Sequence, residues 1–164
     1  MKKLLFVRTR PFESNTSSSI RAISTTDLLQ KCGYEITLLT TNAGLSDNEF
    51  KEYPSIKKII RIPVSSTYEV LRKVKISSES RLNIKTKIIV KAKKFYREIK
   101  VVDPLSIAVK QVYSVMQELE KKYDVIVSCS DPKSSHLLAQ TVMKKGVCCK
   151  KYVQFFFWRS GYPW

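Results

Sequence analysis

Apolar and polar positions along the chain fall into blocks of two periods, and the order of those blocks predicts an architecture. Lys3 to Thr9 is a short apolar run of strand formers followed by the polar, proline-containing Arg10 to Ser18, the pattern of a buried strand and a loop. From Ser18 onward Ile20, Ile23, Leu28 and Leu29 recur at roughly helical spacing, with serines in front able to cap free amides and Gly33 just past the end. Tyr34 to Thr41 predicts a second strand, and Ile56 to Ile62, stopped by Pro63, a third. Tyr123 to Cys129 predicts a fourth, Ser134 to Lys145 a helix ended by Gly146, and Lys151 to Phe157 a fifth.

Residues 64 to 122 separate the third strand from the fourth, a span too long for a structureless loop in a compact domain. The segment is read as a basic, helical insertion. Asp103-Pro104 opens one helix, with Ile107, Val109, Val112, Val115, Met116 and Leu119 as its buried stripe. Leu82 to Lys100 predicts another, in which Lys85, Lys87, Lys91, Lys93, Lys94, Arg97 and Lys100 interleave with bulky apolar residues. Strands alternating with helices predict an α/β fold: a Rossmann-like three-layer sandwich with a mostly parallel sheet in the order 3-2-1-4-5, as a single domain over residues 1–164.

Composition adds a partner class. Thirty Lys and Arg against fourteen Asp and Glu give a formal charge of +16, a strong positive field for 164 residues, so an anionic partner is expected. Nucleic acid, an acidic lipid surface and a phosphorylated small molecule all satisfy it. Nucleic acid is the weaker reading, because the cations accompany no helix-turn-helix, zinc finger or RNA-binding aromatic signature. The cysteines Cys32, Cys129, Cys148 and Cys149 form no C-x-x-C pair and His136 is the sole histidine, so reduced thiols and no metal are expected. The apolar run Leu4 to Val7 is too short for a signal peptide, and no stretch approaches the roughly 20 apolar residues of a membrane span. A cytoplasmic protein, peripheral at the inner membrane face if the basic helix lies on lipid, is the expectation. The same helix also reads as an ordinary solvated face with a core stripe.

In an open parallel sheet, ligands bind beyond the carboxyl ends of the strands where the order reverses. The expected order puts two hydroxyl-rich loops there. The first supplies Arg10, Glu13, Ser14, Asn15 and Thr16, the second Ser130, Asp131, Ser134, Ser135 and His136. The serines and acids read also as helix caps and turn residues, and His136 as a partly exposed helix residue, so no catalytic residue is assigned. Neither loop carries a dinucleotide or P-loop glycine pattern, and the chain has only four glycines.

These residues bring a family into view. The opening LLFVRTRPFESNTSSSIRAISTTDLLQKCGYEITLLTT resembles the first β-α-β unit of group-1 glycosyltransferases of the GT-B fold, and YDVIVSCSDPKSSHLLAQTVMKKG resembles their D-V-I-[IV]-S-x-S-x-P-x-S-S-H strand-loop-helix. Together the two blocks cover 62 of the 164 residues. The resemblance implies the amino-terminal, acceptor-side half of an enzyme that moves a sugar from a nucleotide-sugar donor to a polysaccharide or lipid-linked acceptor in cell-envelope synthesis. It implies no cofactor in this chain, a donor held by a missing carboxy-terminal domain, a truncation after the fifth strand, inactivity without that domain, and His136 lining the cleft. The chain departs from the family in having Ser14-Asn15-Thr16 where a glycine pair is common, and Tyr162 where an aspartate is expected. The reading kept beside it is a non-catalytic basic module for acidic lipid or nucleic acid.

Overall fold

The chain runs β1 (Lys2–Val7), α1 (Ser17–Lys31), β2 (Tyr34–Thr41), β3 (Lys58–Ile62), α2 (Ile107–Gln111), a 3-10 helix (Val112–Glu118), β4 (Lys122–Cys129), α3 (Ser134–Lys144) and β5 (Cys148–Phe155). The computed structural model describes residues 1–13, 16–42, 53–63, 106–119, 122–129 and 133–155. Its five strands form one sheet in the order β3-β2-β1-β4-β5, and every pairing is parallel. The fold is therefore a Rossmann-like α/β sandwich, in the expected strand order.

Alternation along the central strand divides the core in two. Leu4 and Phe6 point to one face, where they pack with Ala22 of α1 and with Ile36, Leu38, Val127 and Cys129. Leu5 and Val7 point to the other, against Ala108, Val112 and Val115 of the α2/3-10 segment and Leu138, Ala139 and Val142 of α3. A strand covered on both faces needs apolar residues at consecutive positions, and β1 is buried from Leu4 through Val7.

Three expectations need correction. Helix α1 does not bury Ile20 and Leu28, which are 62% and 63% exposed; its fully buried side chains are Ser18, Ser19, Ala22 and Thr26. Ser18, Ala22 and Thr26 stand four apart on one face, and small side chains there let the helix backbone lie close to the sheet. The buried hydroxyl of Thr26 is satisfied within the helix by the carbonyl of Ile23 at 2.7 Å. Strand β5 starts at Cys148 rather than Lys151, in register with Lys122 of β4. Lysines at its start suit an edge strand, where they discourage further pairing. The stripe from Ile107 to Leu119 is buried at Val112, Val115 and Leu119, but on five α-helical residues that tighten into a 3-10 helix. The Asp103-Pro104 start and the basic segment carrying Lys85, Lys87, Lys91, Lys93, Lys94 and Arg97 lie outside the described residues.

A glycine follows each of the two well-defined helix ends. Gly33 and Gly146 have φ of 85° and 98°, a region that side chains with a Cβ rarely enter, and each reverses the chain into the next strand. Among the described residues no helix is long and apolar enough to cross a membrane.

Candidate functional site

The order reversal lies between β2 and β4 on either side of β1, so the turns leaving β1 and β4 share the carboxyl end of the sheet. They meet directly. The backbone N–H of Thr9 donates to Ser135 Oγ at 3.0 Å, and Thr9 Oγ1 lies 2.8 Å from Ser134 Oγ and 3.1 Å from Ser135 Oγ. The first turn of α3 is thereby fastened to the exit of β1, and Thr41 at the end of β2 donates its hydroxyl to the carbonyl of Thr9 at 2.7 Å. Thr9, Ser134 and Ser135 are all buried. Lys133, at the N-cap of α3, makes no side-chain cap bond, and the hydroxyls of Ser134 and Ser135 reach across to Thr9 at the exit of β1.

On the α1 face, Arg8 is completely buried. Its guanidinium donates to Ser18 Oγ at 2.9 Å and Ser19 Oγ at 3.2 Å, and stands 5.5 Å from the ring centre of Phe12. Thr16 caps α1 in an extended conformation, its hydroxyl oxygen accepting from the Ser19 N–H. Phe12 sits edge-on to Phe6 and Tyr53, with centroids 6.1 and 5.4 Å away. The buried Glu13 forms an ion pair with the partly exposed Arg61 of β3. Burial and then the Glu13 carboxylate push the Tyr53 phenol above its ordinary value, against the pull of Arg61 and Arg8. Burial likewise pushes the Cys129 thiol up to about 12, opposed by the charge of Arg8. A thiol held neutral in this way is a packing group and not a nucleophile at physiological pH.

On the opposite face, His136 near the start of α3 is half-buried, and its Nδ1 lies 2.6 Å from Ser128 Oγ on β4. Ser128 Oγ lies 3.0 Å from Tyr152 Oη on β5, and Gln154 Nε2 donates to that same phenol at 3.1 Å. Burial lowers the pKa of His136 from its ordinary 6.5, so the ring is neutral at physiological pH.

The structure thus brings Thr16, Ser134, Ser135 and His136 to one end of the sheet, with Glu13 turned toward Arg61 and Arg10 half-buried beside them. Ser14, Asn15, Ser130 and Asp131 lie outside the described residues. Arg8, Thr9, Ser128, Tyr152 and Gln154 were not among the sequence candidates. Arg8 and Thr9 carry a usable signal, polar residues ending a buried central strand at the order reversal; Tyr152 and Gln154 become visible only once β5 is in register beside Ser128. Among the described residues no group of three or more His, Cys, Asp or Glu side chains could hold a metal ion. No protein-family model and no curated protein matches the chain.

Proposed function

We propose that this chain is the acceptor-binding, Rossmann-like domain of a glycosyltransferase that moves a sugar from a nucleotide-sugar donor to a polysaccharide or lipid-linked acceptor. The observation that carries the reading is the junction of Thr9 with Ser134 and Ser135. It joins the two segments that resemble group-1 glycosyltransferases at the position where open parallel sheets bind ligands. A neutral imidazole beside that junction suits a carbohydrate, which offers hydroxyls and little charge. In this reading Thr9, Ser134 and Ser135 hold the crevice wall and His136 faces the acceptor, while the donor belongs to a separate carboxy-terminal domain. The excess of basic residues would serve a membrane-bound, anionic acceptor at the cytoplasmic face.

Saturation-transfer NMR tests the binding directly. Oligosaccharides and a polyprenyl-phosphate-linked sugar in detergent should receive saturation from the chain, with the signal lost in His136→Ala, and nucleotide sugars should receive none. Salt-dependent binding of random oligonucleotides with no signal from any glycan would overturn the proposal in favour of a basic binding module.

A further inference from the structure

We propose that Gln154, Tyr152 and Ser128 form a one-way hydrogen-bond relay that holds His136 in the tautomer protonated on Nε2, making it a hydrogen-bond donor at that nitrogen. Direction enters at the Gln154 end. An amide nitrogen can only donate, so the 3.1 Å contact makes the Tyr152 phenol oxygen an acceptor. The phenol's own proton then goes to Ser128 Oγ, 3.0 Å away. Ser128 in turn gives its proton to His136 Nδ1 at 2.6 Å, a short contact suited to a hydroxyl donating to a bare ring nitrogen. A neutral imidazole that accepts at Nδ1 carries its proton on Nε2.

The reverse direction fits poorly. If Nδ1 donated to Ser128 and Ser128 to Tyr152, the phenol oxygen would accept from both Ser128 and Gln154, and its own proton would have no acceptor in the group. Rigid elements hold the arrangement. Ser128 pairs with Gln154 and Ile126 with Tyr152 in the parallel β4–β5 register, which sets Tyr152 and Gln154 two apart on one face of the edge strand. The half-buried ring is neutral at physiological pH, as a relay ending on a bare Nδ1 requires.

Ser128, Tyr152 and Gln154 are positioning residues, and what they position is a donor. Nε2 is buried, so within the sugar-transfer reading, on which this last step rests, the ring orders the wall of the site and does not take a proton from an acceptor hydroxyl at Nε2.

The single histidine makes the test direct. Long-range proton–nitrogen NMR of the histidine-labelled chain above pH 6.5 reports which ring nitrogen is protonated. The wild type should show protonated Nε2 and bare Nδ1. Gln154→Glu replaces the donor with a carboxylate that accepts from Tyr152; the relay should turn round and shift the tautomer ratio toward Nδ1–H by about tenfold, the scale of one net hydrogen bond. Tyr152→Phe should leave both tautomers populated. Gln154 is exposed, so its replacement leaves the core intact, and unchanged amide spectra of α3 and β5 would verify this. A wild-type ring protonated on Nδ1, or a ratio unmoved by both substitutions, overturns the relay. No sugar is present in these spectra, so they fail or succeed separately from the glycan-binding experiment.

Discussion

The two faces of the order reversal use the same ingredients, hydroxyls at the start of a helix, to different ends. On the α1 face Arg8 is sealed in and bonded to Ser18 and Ser19, while Thr9, the next residue, ties down Ser134 and Ser135 of α3 on the other face. On the other face a half-buried imidazole ends a chain of hydroxyls that reaches the exposed Gln154. Density of serine and threonine therefore does not distinguish a scaffold from a site. Burial and the identity of the partner do.

The contrast makes the largest demand on Arg8. Arg8→Leu keeps much of the bulk but removes the guanidinium bonds to two buried hydroxyls, and should cost about 3 kcal/mol in urea-induced unfolding. Thr9→Val removes the hydroxyl that joins the turns, with an expected loss of about 2 kcal/mol by the same measurement. A smaller, pH-dependent effect belongs to His136. Its folded pKa lies below 6.5, so both states are neutral above that value, and the unfolded chain takes up a proton first as pH falls. Stability should decline from about pH 6.5 until the folded ring also titrates, and His136→Gln should lack that component in urea melts recorded across the range. The smallest effect should come from Ile20→Ser and Leu28→Gln, both exposed, within about 0.5 kcal/mol. A large loss at either residue would show that the buried face of α1 has been misplaced.

Much of the fold was legible because strand patterns and glycine stops are local: Tyr34 to Thr41 matches β2 as read, and Gly33 and Gly146 end the helices expected of them. The face of α1 was not, because periodicity ranks residues by hydrophobicity, whereas close approach to a sheet selects small ones such as Ser18 and Ala22. The site was legible as a place but not as a set of bonds. Thr9 and Ser135 are 126 positions apart and Glu13 and Arg61 are 48 apart, so only the completed sheet decides which serine caps a helix and which bridges two turns.

The proposed ligand site at the carboxyl ends of β1 and β4 is the centre of the account, and amide-resolved NMR of the labelled chain titrated with a short oligosaccharide acceptor tests it most directly. Saturable shifts concentrated at Thr9, Ser135 and His136 are predicted. Saturable shifts confined to the opposite end of the sheet, around Lys3 and Asp124, with Thr9 and His136 unmoved, would contradict it.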